Sequence, residues 1–541
     1  MRLSRVVALL ILIFGSQNVR AYGQVVATWT GTTGNWSNAA DWSTSTVPNN
    51  SSSNHYRITI NAPGSAVTMD VLNDSVDRLT LAATNHLSIS VDDNLSLVSG
   101  TSSNYGAMVI YGTLTSASVL NNASTGSIVN GGKIINSGNL KNSGFIENYY
   151  AELTNNNVFT NNADIDEYHG SIANYGTFTN SARISLDQGG GLVNYGTFRN
   201  SGTISDVSEG TDPPNYITNE GLLINTSVGQ VNGVAELLNQ GRFINNGTYS
   251  TGCNVNGYCG ATNSGTLINN GTFTNNYAPF EGANAGCNST QPAIIGCVFT
   301  NNGRLINNGT FNNYGTFNSS GSFTNHGTLL DGGVLAGAFN NTGTLTNSGA
   351  VTVTNSSSLT TSSDYTQTTG RTIVDGALTA TGGAIVRILG GTLSGSGTIN
   401  GNVVVGGTLM PGDDPGTLTI FGNYEQTGAG MFDELISPYS RAFLDVSGNV
   451  VLQPGAALEI TLLDGFNPLG STVSIMDFSS FSGRFANGWS FWDDGYLWDI
   501  TYRQHEVDVT AVQAPEPSSL LLLGFGALAL GALARPRKVT K

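Results

Sequence analysis

The sequence predicts an all-β parallel β-solenoid, a backbone wound in stacked coils with capped ends. Three observations carry this: glycine recurs every six residues, the residue two places after it is apolar, and charge is scarce. Of 541 residues, 70 are Gly and 61 are Asn, and only 10% are charged, against about 25% in an ordinary soluble domain. A generic helical enzyme is disfavoured by that composition. A nucleic-acid partner is disfavoured too, because phosphate neutralisation needs clustered Lys and Arg and the net charge here is -16.

Gly126, Gly132, Gly138 and Gly144 form one run of the period, and Gly303, Gly309, Gly315, Gly321 and Gly327 another. Shorter echoes lie at Gly241/Gly247, Gly265/Gly271 and Gly343/Gly349. Two residues after each glycine of the long runs stands Ile128, Ile134, Leu140, Ile146, Leu305, Phe311, Phe317, Phe323 or Leu329. On a helix six residues turn the chain through about 600°, which scatters these side chains over several faces. On strands, six is a multiple of the two-residue alternation, so each returns to the same inward side. The consensus Asn-x-Gly-Thr-Phe-x occurs at residues 174–178 and 194–198. Its Thr and Phe favour a short strand, and its Asn and Gly are read as tolerating the left-handed backbone of a tight corner.

A short strand with one large inward side chain cannot bury it alone, whereas stacked coils of three hexads can. Equivalent asparagines are placed to bond amide to amide up such a stack. A disordered linker of similar composition would lack the regular Phe, Leu and Ile. The expected organisation is an N-terminal cap with first coils over residues 22–120, a hexad-repeat solenoid over 121–350, continuing solenoid over 351–430 and a C-terminal β cap over 431–510. All six Trp (29, 36, 42, 489, 492 and 498) lie near the two ends of this region, as caps closing an open stack would require.

Residues 390–403, together with Pro411-Gly412-Asp413-Asp414-Pro415-Gly416-Thr417-Leu418 and Phe421-Gly422-Asn423-Tyr424, resemble the final coils of autotransporter-type passenger domains. The match covers about residues 385–485 and implies a right-handed parallel β-helix. The opening Trp29-Thr30-Gly31-Thr32-Thr33-Gly34-Asn35-Trp36 is similar to the start of exported β-helix proteins.

Both termini read as targeting segments. Residues 1–21 carry Arg2 and Arg5, then the apolar run Val6 to Phe14, then Val19-Arg20-Ala21, the layout of a cleaved secretory signal. Ser518 to Ala534 is seventeen residues without a charge, followed by Arg535, Arg537, Lys538 and Lys541. That run spans about 25 Å as a transmembrane helix, and the positive-inside rule puts the basic tail in the cytoplasm. With the two ends removed, residues 22–514 hold 13 basic and 35 acidic groups. The triad Pro515, Glu516 and Pro517 stands just before the span. Triad, apolar span and basic tail over residues 511–541 resemble the PEP-CTERM sorting signal of Gram-negative bacteria. The resemblance implies recognition of the triad by an exosortase, a membrane intermediate held through residues 518–534, and delivery to the cell surface or extracellular matrix.

Cys253, Cys259, Cys287 and Cys297 interrupt the hexads. In an oxidising compartment they read as two disulfides, most simply Cys253–Cys259 and Cys287–Cys297, although four cysteines allow three pairings. The loop insertions at residues 250–299 are the first expectation for a recognition surface. No metal site or cofactor is expected: no Cys-x-x-Cys or His-Glu-x-x-His spacing occurs, and Asp413-Asp414 reads as a polar turn. The richest acidic cluster is Asp164, Asp166 and Glu167 beside His169, with Asp164 and Asp166 on one strand face. Such a pair is more often a solvated edge than a catalytic dyad. The expected function is an exported structural or adhesive protein with extracellular polysaccharide as a partner. The alternative is a β-helix polysaccharide lyase or hydrolase.

Overall fold

The computed structural model describes residues 23–207, 213–252, 260–276, 297–332, 338–412 and 416–513. They form an all-β parallel solenoid whose helical content is a single 3-10 turn at Ala39–Asp41. The chain divides into two compact units, Met1–Ala182 and Arg183–Lys541.

In the second unit the hexad repeat builds strands Val298–Asn301, Arg304–Asn307 and Thr310–Asn313, three to a turn. The next turn, Thr316–Ser319, Ser322–Asn325 and Thr328–Asp331, lies on it in parallel register, with Val298 opposite Thr316, Arg304 opposite Ser322 and Thr310 opposite Thr328. Each four-residue strand directs its second and fourth residues inward. The second is the apolar residue of the repeat: Phe299, Leu305, Phe311, Phe317, Phe323 and Leu329 are fully buried. Aromatic rings stack along the axis, Phe273 on Phe311 at 5.1 Å and Phe317 on Phe339 at 4.3 Å. The first unit uses the same plan, with Ile128, Ile134, Leu140 and Ile146 all buried.

The fourth residue is most often an asparagine, as in Asn301, Asn307, Asn313 and Asn325, with Ser319 and Asp331 in its place in the second of these turns, so many of the inward positions are amides. Asn269 Nδ2 donates to Asn307 Oδ1 at 2.8 Å, and Asn307 Nδ2 donates to Asn325 Oδ1 at 2.8 Å and to the Thr328 carbonyl at 2.8 Å. A parallel column in the second unit runs Asn194, Asn219, Asn239, Asn263, Asn301. In the first unit one column runs Asn104, Asn122, Asn142, Asn161, Asn180. A buried amide left unpaired would cost about 1–3 kcal/mol; the ladder pairs amide donors with amide acceptors and fixes the register of the turns it crosses. In the Ser/Thr-rich stretch the columns persist with other residues, Asn341 donating to Thr361 Oγ1 and Asn347 to Gln367 Oε1.

The repeat glycines serve a purpose different from the one their type suggests. None of the glycines of the two long runs adopts positive φ. A Cβ on Gly309 would stand 2.1 Å from the carbonyl oxygen of Gly271, and one on Gly327 2.0 Å from that of Gly309. Backbone lies directly upon backbone at these corners, so glycine is required by close approach and not by a left-handed conformation.

The caps also divide. Trp29, Trp36 and Trp42 are buried edge-to-face at the start of the first unit, 5.1 and 4.8 Å between neighbouring rings, and Trp36 Nε1 donates to Asp74 at 2.6 Å. At the other end Trp498 is buried, but Trp489 and Trp492 are more than 60% exposed. The reading of all six as buried caps is corrected here. Ser490–Asp493 is paired on one side only, with Tyr496–Tyr502, and strand alternation turns Trp492 away from the covered face.

Candidate functional site

The second unit closes with a mixed sheet. Phe443–Leu452 pairs in parallel with Thr472–Gly483, which pairs antiparallel with Glu506–Val512. This register sets Asp445 beside Asp477 and Asp477 beside Glu506, three carboxylates across three adjacent strands. They line a cavity of about 490 Å³ together with Arg503 and His505. Burial, then the charges of Glu506 and Asp445, raises the Asp477 carboxyl above the usual carboxylate range. Arg503 is committed to Glu506 at 2.7 Å and to buried Asp508 at 2.9 Å. His505 Nδ1 lies 3.0 Å from the Ser479 carbonyl. Chemically, the row can hold a proton on Asp477 between two acids and can accept hydrogen bonds from hydroxyl-rich ligands. Sequence reasoning missed it, because Asp445, Asp477 and Glu506 meet only through strand pairing across about 60 residues.

The acidic cluster noted in the sequence splits. In Ile165–Tyr168 the alternation points Asp166 outward and Glu167 inward. Asp166 stands opposite Glu147 on the neighbouring turn, and exposed Asp164 precedes the strand. Glu167 occupies a ladder position, accepting from Asn148 Nδ2 at 2.9 Å; full burial holds its carboxyl well above the usual range. It is a structural acid. Asp331 ends a second-unit column in the same way, accepting from Asn313 Nδ2 at 2.7 Å.

Cys297 is buried, its Sγ 3.7 Å from the Gly252 carbonyl, and burial pushes the thiol up to about 11. Cys253, Cys259, Cys287 and most of the 250–299 recognition segment lie outside the described residues, as do Asp413, Asp414, the signal segment 1–21, the triad Pro515, Glu516 and Pro517, and the apolar span 518–534. Among the described residues no group of three or more His, Cys, Asp and Glu is placed to hold a metal ion. No helix among them is long and apolar enough to cross a membrane.

The described residues thus define an all-β parallel β-solenoid. Residues 513–538 match the family model of the PEP-CTERM protein-sorting motif, so the chain carries a PEP-CTERM sorting signal on a parallel β-solenoid. The signal implies recognition by an exosortase and export to the cell surface. No curated protein matches the chain.

Proposed function

We propose that this chain is a structural and adhesive component of the cell surface or extracellular matrix, and not an enzyme. One observation carries the reading: the outward strand positions of the repeat are mainly Thr, Asn and Ser, as in Thr300, Thr310, Asn312, Thr316, Asn318, Ser322 and Thr324. Side chains of that kind hydrate and hydrogen-bond to polymers but supply no acid–base pair. In this reading residues 1–21 are removed on export, residues 518–534 hold the chain in the membrane of a Gram-negative cell, and an exosortase acts at Pro515-Glu516-Pro517. Cell fractionation tests it. The parent chain is expected in the surface or matrix fraction, processed so that Leu520–Leu530 are gone, and a chain with the triad replaced by alanine is expected in the membrane fraction. Equal distribution of the two overturns the reading.

The carboxylate row Asp445, Asp477 and Glu506 beside Arg503 favours a second reading, a polysaccharide lyase or hydrolase. Incubation with a panel of bacterial and plant polysaccharides separates the two. Oligosaccharide release abolished by Asp477→Asn supports catalysis, whereas retention on a polysaccharide without release supports the scaffold.

A further inference from the structure

We propose that the corner of the first unit carrying Tyr149 and Tyr150 binds a polysaccharide bearing protonated amino groups; the inference rests on the scaffold reading above and names its partner. Phe145–Tyr149 and Ile165–Tyr168 lie in parallel register, which sets Tyr149 beside Tyr168 and Glu147 beside Asp166 on the outward face. Tyr149 stacks on Tyr168 at 5.0 Å and Tyr150 on His169 at 4.5 Å, while the Tyr149 and Tyr150 rings meet at 73°. Despite these contacts Tyr149 remains 46% and Tyr150 60% exposed. Tyr150 and His169 hold φ of 49° and 50°, a left-handed backbone that is strained for a residue with a Cβ and suits glycine better. The corner therefore maintains outward rings against a local cost. Two turns earlier the same edge carries Tyr111, also more than half exposed, whose ring lies 3.5 Å from where a Cβ on Gly131 would stand.

The chemistry selects the partner. Ring faces attract cations and accept the flat C–H face of a pyranose. Glu147 stands outward two residues before Tyr149 on the same strand, a carboxylate that draws a cation toward the ring faces. Ring and carboxylate alternate along one strand about 7 Å apart, a spacing that suits a sugar unit with its amine better than a single ammonium head. The track from Tyr111 to Tyr168 runs across successive turns, which suits a polymer. An acidic polymer is opposed by the net charge of -16.

The test is calorimetric titration of the full chain with a glucosamine hexamer, its fully N-acetylated counterpart and polylysine, for the wild type, Tyr149→Ala/Tyr150→Ala, Glu147→Gln and Trp489→Ala/Trp492→Ala. The amine hexamer is expected to bind about tenfold more tightly than the acetylated one. The tyrosine pair is expected to lose about tenfold and Glu147→Gln about threefold, and the tryptophan pair nothing. Equal binding of both hexamers, polylysine binding as tightly with the same tyrosine dependence, or loss confined to the tryptophan variant overturns the proposal. Should the tyrosine variant melt early, unchanged affinity in Glu147→Gln, an outward isostere, overturns it alone. A chain that reaches the surface fraction yet binds no amine polymer sinks this inference only; one that never reaches that fraction sinks the scaffold reading.

Discussion

The backbone N–H of Ile460 donates to Asp493 Oδ2 at 2.7 Å, and this bond is one of three that finish the solenoid. Leu458 N–H donates to Asn487 Oδ1 at 2.8 Å and Leu462 N–H to Asp494 Oδ2 at 2.7 Å. Alternate amides of Ala457–Leu462 thus meet side chains where another turn would have offered carbonyls. An unpaired strand edge is a template for a second chain; here it is occupied by groups that cannot propagate a sheet. Asp493→Ala with Asp494→Ala reopens two of those amides, and the variant is expected to self-associate with rising concentration in analytical ultracentrifugation while the parent does not.

Glycine at the stacked corners cannot be replaced. Gly309→Ala sets a Cβ 2.1 Å from the Gly271 carbonyl oxygen, a clash with backbone that no rotamer relieves. The expected loss is about 1–3 kcal/mol, the range for overpacking, read as a lowered denaturant midpoint.

Buried acids make stability depend on pH. Burial, only partly offset by the bond from Asn313, pushes Asp331 up to about 7, and burial likewise pushes Asp74 up to about 7 despite the Trp36 bond. Between about pH 4 and pH 7 the folded chain keeps protons that the unfolded chain has released. The contribution of these two carboxyls to stability is therefore fully present below that window and falls as pH rises through it. Asp331→Asn keeps a ladder acceptor without a charge; it is expected to melt higher than the parent at pH 8 and to show a shallower decline between pH 5 and pH 8.

Much of the solenoid was legible because its period is short and even: Phe311, Phe317 and Phe323 announced an inward face without any knowledge of the coil. The asparagines were legible as a ladder at the corners, and alternation from inward Leu305 already turns Asn307 and not Asn308 inward; what it does not show is that a polar side chain at the last strand position is fully buried. The glycines were recognised for the wrong reason, since sequence shows missing side chains but not the carbonyl that would collide with them. Asp164 and Asp166 read as the solvated strand face, and the alternation that sets Asp166 outward turns its neighbour Glu167, counted in the same cluster, inward as a ladder terminus. The Asp445–Asp477–Glu506 row depended on pairings between distant strands and left no local trace. Trp489 and Trp492 misled because aromatic size suggests burial, whereas an edge hairpin leaves one of its faces uncovered.

Asn307 gives the most direct test of the ladder on which this account depends. Asn307→Ala removes the acceptor for Asn269 and the donor to Asn325 and Thr328, a loss of about 1–3 kcal/mol per buried group left unpaired. Amide hydrogen exchange read by mass spectrometry is expected to rise at least tenfold in Thr266–Asn269, Arg304–Asn307 and Ser322–Asn325, with the Tyr149 corner unchanged. Exchange in those three strands indistinguishable from the parent would contradict the claim that stacked amides hold the coils together.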